Sequence, residues 1–342
     1  LLPEIRIITH GISGLAMNSR PTRILFHADD FGFNSAITDG ILSGFRDGLL
    51  TSTSLLSNAP DASRAVEQWK KLEGDRQAVG LPSIRKRRLL DDPDQAFDLG
   101  VHLNLTQGRP LTGDRYPSEL LDADGCFPGV FKLFACLWRG GDRFWAAVRN
   151  ELEQQVQFVC DHGVKPSHLN GHQYVEMMPA IRSLMPALLD QFAIRSVRVT
   201  FEPSLGRSIV LARFQPWKWP MGWVKRRFAK KFRSQMDRLG FAHPDVFCGT
   251  MHAGCIDRRL MQSFLAAGRR FSSVEIALHP GKPAEKPREG FGSRIESETA
   301  MSGWRDPLAA MRPNELQLLV ADELALFMER EHLRLGRLLP RD

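Results

Sequence analysis

"RILFHADDFGFN" (residues 23–34) joins an apolar run to two adjacent carboxylates, Asp29 and Asp30, followed by Gly32 and by Asn34 at a helix start. The apolar half reads as a buried strand and "NSAITDGILSGFRDG" as the helix after it, capped by Asn34 or Ser35 and closed at Gly48. Paired carboxylates at a buried strand end repel each other and lose hydration, so something must compensate them.

The same strand-then-helix alternation continues along the chain. Strands are expected at 49–59, 98–106, 165–173, 196–203 and 273–281. Helices are expected from Asp61 or Ser63, over 142–162, from Pro179, over 256–269 and over 314–335. Residues 74–97, basic and then acidic, read as a surface loop, and 107–145 as turn-rich. Alternating units of this kind predict an α/β fold, a mostly parallel sheet covered by helices, with functional groups at the C-terminal strand ends.

The unusual residues fall at those ends. They are the Asp29–Asp30 pair, His102 in "GVHLNL", His168 and His172 in "PSHLNGHQ", and His279 in "ALHPG". Each alone has a bland explanation: an Asp pair can cap a helix, a strand histidine can be a satisfied core residue, and "HPG" can be a turn. Their coincidence in a chain with only ten histidines points instead to a divalent cation. One aspartate and two neutral imidazoles would hold it with positions left open for water and substrate, and the second aspartate would serve as general base. His252 in "GTMHAGCID" reads as structural or surface, whereas His168 could orient a ligand or merely pack.

Five blocks carry a resemblance: "ADDFGFNSAITDGI", "DGLLTSTSLLSNAP", "LGVHLNLTQGRPL", "KPSHLNGHQYVEMMP" and "EIALHPG". In this order, over residues 23–281, the chain resembles the YdjC-like carbohydrate deacetylases, a family that includes chitooligosaccharide and hopanoid-associated deacetylases. The resemblance implies a distorted (β/α) barrel and metal-dependent removal of acetyl groups from N-acetylated sugars. It puts Asp30, His102 and His172 on the metal-ligand positions, Asp29 on the general-base position and His279 on the residue that protonates the leaving amine. The implied cofactor is a divalent ion, Mg2+ or Zn2+, with Mn2+ or Co2+ as alternatives. The chain departs from the family where histidines are common and it has Tyr174 and Glu176, and where an aspartate is common and it has Asn170. Two other readings stand beside the deacetylase: a barrel that binds glycans or glycolipids without catalysis, and a metal-dependent phosphohydrolase.

Composition narrows the setting. The 342 residues, 43% hydrophobic and 25% charged, suit one large soluble domain spanning 1–342. No apolar run reaches the roughly 18 residues that would span a bilayer. "LLPEIRIITHGISGLAMNSR" makes a poor signal peptide, so the expected location is cytoplasmic. Five cysteines without a CxxC pair exclude a disulfide framework or zinc ribbon. The net charge of +7 is concentrated in residues 205–238, where ten Lys or Arg meet one acid for a net of +9, leaving −2 elsewhere.

That basic aromatic segment reads as an insertion at 204–240 near the barrel mouth. From Met221 it is helical, with Met221, Val224, Phe228, Phe232, Met236 and Leu239 within about 120° of arc. Trp217, Trp219 and Trp223 stand at its front. Either the stripe packs on the barrel, or the helix lies on an anionic membrane, making the protein peripheral to the inner face and its substrate a lipid-linked sugar. No nucleic-acid-binding motif accompanies the charge, and a homodimer is left open.

Overall fold

The computed structural model describes residues 21–80, 83–90, 97–139, 141–202, 219–283 and 303–337. Seven strands form one continuous path: β1 (Arg23–Phe31), β2 (Ser52–Leu55), β3 (Asp98–Leu103), β4 (His168–Gly171), β5 (Ser196–Val197), β6 (Val246–Cys248) and β7 (Ser273–Leu278). Their spatial order is β5-β4-β3-β2-β1-β7-β6, and every pair is parallel. A short β8 (Arg334–Leu335) adds to the start of β1. The two ends of the path approach each other: Val197 N–H donates to Ala242 at 2.9 Å, and Phe247 N–H to Phe201 at 3.2 Å. The sheet is thus curled into a distorted barrel.

Ten helices among the described residues cover it. The first six are α1 (Ser35–Arg46), α2 (Ala62–Val79), α3 (Ile84–Leu89), α4 (Val130–Arg139), α5 (Asp142–Asp161) and α6 (Pro179–Gln191). The remaining four are α7 (Trp219–Leu239), α8 (Arg258–Gly268), α9 (Arg312–Val320) and α10 (Asp322–Arg330). The Asn34 side chain accepts from Ile37 N–H at 2.9 Å and so starts α1 directly after the Asp pair. None of the helices is long and apolar enough to cross a membrane.

Every residue of β1 after Arg23 is buried, as expected of a parallel strand covered on both faces. Ile24, Phe26 and Ala28 join the apolar core. His27 alternates with them and meets Ser52 and Ser54 of β2 at 2.9 and 3.1 Å. Asn170 and His168 of β4 and Glu275 of β7 are also buried, so polar side chains take a place that branched aliphatics usually occupy in such barrels.

Four local expectations need correction. Residues 84–89, read within a surface loop, are helical, and Lys86 is fully buried there. Its ammonium donates to the Phe45 carbonyl at 2.9 Å and to that of Leu50, and lies 4.5 Å from the Phe97 ring centre. A run of "IRKRR" hides that outcome, because its charge pattern is that of a solvated face. The turn-rich stretch contains α4. Strand β6 was too short to register, and the C-terminal helical stretch is two helices followed by β8. Residues 1–20 and 204–218 lie outside the described residues.

Gly40 lets the chain just after β7 pass directly against α1. A Cβ there would come within 2.5 Å of Gly281 Cα and 2.7 Å of Lys282 N, both backbone. Gly40→Ala should therefore destabilise the protein by about 1–3 kcal/mol in urea unfolding, because backbone cannot rotate out of the way.

Candidate metal centre

β1 ends in an irregularity. Its register with β2 shifts between Ala28 and Phe31, so Asp29 and Asp30 lie where regular pairing stops. In a regular strand two consecutive side chains would point to opposite faces. Here Asp30 adopts φ 68°, a left-handed conformation rare outside glycine, and both carboxylates line one cleft. Such backbone costs on the order of 1–3 kcal/mol and concentrates at functional sites. Gln173 and Tyr174, just after His172, are also left-handed, at φ 54° and 64°.

The cleft has a volume of about 390 Å3. Its floor holds Asp29, Asp30, His102, His172 and His279, drawn from the C-terminal ends of β1, β3, β4 and β7. Asp30, His102 and His172 each offer an atom within 4.8 Å of the others. His172 Nδ1 and His102 Nε2 face Asp30 Oδ1 at 3.1 and 3.6 Å. That oxygen is buried and has no hydrogen bond of acceptable geometry, although the other carboxylate oxygen accepts from Arg312 at 2.8 Å. An ionised oxygen buried without a donor and surrounded by two imidazoles is the signature of a ligand cage, and the donor set fits a divalent cation.

The protonation states suit that role. Burial would raise the Asp30 carboxyl, but Arg312 and His172 outweigh it and hold it well below the usual carboxylate range. Burial lowers His102 to about 4, keeping its imidazole neutral. Asn170 chooses which ring nitrogen carries the proton. With its oxygen 2.8 Å from His102 Nδ1, that nitrogen donates and Nε2 is left bare towards Asp30. With the amide reversed, the oxygen accepts from both terminal nitrogens of Arg198 at 2.9 and 3.1 Å, and Nε2 would carry the proton. A cation held beside Asp30 would select the first arrangement.

Arg198, which sequence reading missed, clamps Asp29 with two bonds of 2.8 Å and also donates to Glu275 at 2.6 Å. Burial opposes ionisation of Asp29, but Arg198 dominates and keeps the carboxyl well below its ordinary range. His27 lies 3.2 Å from the same carboxylate, and burial holds its imidazole neutral with a pKa of about 3. The available signal was an arginine inside a strand, "SVRVT", since a buried guanidinium requires an acidic partner. Arg312 gave no such signal. It belongs to the first turn of α9, far along the chain.

His279, just past the end of β7 beside β1, has Nε2 3.9 Å from Asp29 Oδ2, and its backbone N–H donates to Glu315 of α9 at 2.6 Å. His168 does not reach the cage. It packs edge-on against His27, ring centres 5.0 Å apart, and hydrogen-bonds Ser167. His252 is buried against Phe264. Tyr174 lines the cleft under Lys225, whose ammonium stands 4.5 Å from the ring centre. Glu176 is fully buried with no hydrogen-bond partner for either oxygen, and burial raises its carboxyl to about 8.

Fold and site define a class: parallel α/β barrels whose strand ends gather an Asp–His–His group able to hold a metal ion beside a second aspartate. Within it, the YdjC-like protein family model matches residues 23–330, and the chain belongs to that family. It is 28% identical over 324 residues to a mouse protein named carbohydrate deacetylase, covering 92% of this chain and 93% of that one. A Vibrio cholerae protein of the same name is 27% identical over 280 residues, covering 81% and 86%. Among solved structures, a putative cellobiose-phosphate cleavage protein from Enterococcus faecalis superposes with a TM-score of 0.63 at 18% identity, over 93% of this chain and 98% of that one. At that identity the likeness speaks for the fold alone.

Two outcomes follow from this geometry. Asn170→Ala should weaken divalent-cation affinity about 10–100-fold in titration calorimetry, because His102 loses the partner that sets its tautomer. Glu176 is raised in the folded state, so the stability it supports below about pH 4.5 is lost as pH rises towards 8. Glu176→Gln should therefore gain stability over wild type by about 1.4 kcal/mol per pH unit across that window, then level off. Paired thermal melts would reveal it.

Proposed function

We propose that the protein is a metal-dependent hydrolase that removes the acetyl group from the nitrogen of an acetylated amino sugar. The observation that carries this reading is the buried, donorless Asp30 Oδ1 facing His172 and His102 at 3.1 and 3.6 Å. The names of the relatives agree with it.

Asp30, His102 and His172 would hold the cation, which when bound polarises the acetyl carbonyl and makes water more acidic. The donors suit zinc and, with water completing the shell, magnesium, manganese or cobalt. Asp29 takes the proton of the attacking water. The Arg198 clamp keeps it ionised and aimed, at some loss of basicity. The amide nitrogen cannot leave as an anion, so it must be protonated as its bond to carbon breaks. His279, 3.9 Å from Asp29 in the same cleft, gives that proton in this reading. Acetate and the free amino sugar result. The basic helix favours a lipid-linked acetylated sugar presented at an anionic membrane face over a free oligosaccharide.

Acetate release from N-acetylglucosamine oligomers and lipid-linked conjugates, after chelator treatment and after return of each ion, tests the reaction. Asp29→Asn should retain the metal by elemental analysis yet lose at least about 100-fold in rate, whereas Asp30→Asn should lose the metal itself. A rate within a factor of about two for Asp29→Asn would remove it from the chemistry. Phosphate release without acetate would replace the reaction altogether.

A further inference from the structure

Two helices on the rim of the cleft do not obey the rule that apolar side chains turn inward. α4 reads "VFKLFACLWR", apolar almost all round, a composition that normally buries a helix completely. Leu133 and Leu137 are buried, but Phe131 is 75% exposed and Phe134 39%. On α7, Ala229, Phe232 and Met236 pack inward. The front of its apolar stripe does not follow them, since Met221 and Val224 stay exposed and Trp223 is 62% exposed. The expected single stripe is thus split: Phe228, Phe232 and Met236 in its middle turn to the barrel, while Met221 and Val224 at its front and Leu239 at its end stay in solvent.

The two helices form one surface. Phe134 stacks on Phe228 with ring centres 6.4 Å apart and planes at 23°. Val130 and Phe131 of α4, and Met221 and Lys225 of α7, line the same cleft as the Asp–His–His cage. On the outer side of α7, Trp223, Val224, Arg227, Lys230 and Lys231 are all exposed and fall within about 120° of arc. α4 contains no acid, and the only acid of α7 is Asp237, at its far end.

We infer that this rim, formed by Phe131 and Phe134 of α4 and by Trp223, Val224, Arg227, Lys230 and Lys231 of α7, docks on an anionic phospholipid bilayer. Exposed aromatics with interspersed cations, on helix faces that carry no acid of their own, match the boundary between headgroups and acyl chains. An acidic protein or nucleic acid would satisfy the charges but not Phe131 and Trp223. The further step, that a lipid-linked acetylated sugar enters from the bilayer, rests on the deacetylase reading; membrane binding itself does not.

The full-length protein is floated with phosphatidylcholine vesicles with and without phosphatidylglycerol. The expected result is recovery with the anionic vesicles and little with the neutral ones. Lys230→Glu with Lys231→Glu should lower binding at least about tenfold, since each basic residue near the surface is worth roughly fivefold. Phe131→Ser with Trp223→Ser should also lower it while thermal melting stays unchanged, because both side chains are already in solvent. The proposal is overturned if neutral and anionic vesicles recover the protein equally, if neither does, or if the serine pair binds like wild type. It is also overturned if a short DNA duplex binds as tightly as the vesicles and is indifferent to the serine pair. Acetate release from a water-soluble acetylated sugar, measured without vesicles, reads the hydrolase separately: flotation can fail with that activity intact, and the reverse.

Discussion

Two guanidinium–carboxylate pairs at the end of β1 govern this molecule. Asp29 and Asp30 are neighbours in sequence, buried and ionised, and neither could remain so alone. Arg198 answers the first and Arg312 the second, each at 2.8 Å. The arginines are in turn shared, Arg198 with Glu275 and Arg312 with Asp306. The carboxylates therefore outnumber the guanidinium groups. One oxygen, Asp30 Oδ1, is left without a donor where that surplus of negative charge faces two neutral imidazoles. A divalent ion held there would supply the remaining positive charge, and breaking either pair would leave a buried charge uncompensated, at a cost of several kcal/mol.

The pairs also tie the cleft to the far end of the chain. Arg312 reaches Asp30 across 282 positions, and Glu315, one turn later on α9, accepts from the backbone of His279. The wall that carries His279 is thus held by the same short helix that supplies the counterion. Closing the barrel is a precondition for the site, since no subset of early strands brings both arginines to β1. Such dependence on distant contacts makes assembly slow relative to local helix formation.

Burial and exposure divide the cleft by chemistry. Beneath its floor of carboxylates and imidazoles lies a hydrogen-bonded array of His27, Ser52, Ser54, Asn170 and Arg198, in place of an aliphatic layer. Its rim is aromatic and basic, on helices that present to water what they would ordinarily hide.

Much of this was legible in the sequence, for local reasons. The β/α alternation follows from runs of buried residues and from caps such as Asn34, which depend on neighbours a few positions away. The gathering of Asp29, Asp30, His102, His172 and His279 followed from one rule, that strands of a parallel barrel end on the same side. Tertiary structure alone decided the rest. It chose Arg198 and Arg312 as counterions, bulged β1 so that adjacent carboxylates share a face, buried Lys86 from a run that reads as solvated, and split the stripe of α7 between barrel and solvent. Each of these is a pairing between distant segments, and a charged side chain in a linear chain carries no mark of which opposite charge, or how little water, it will meet.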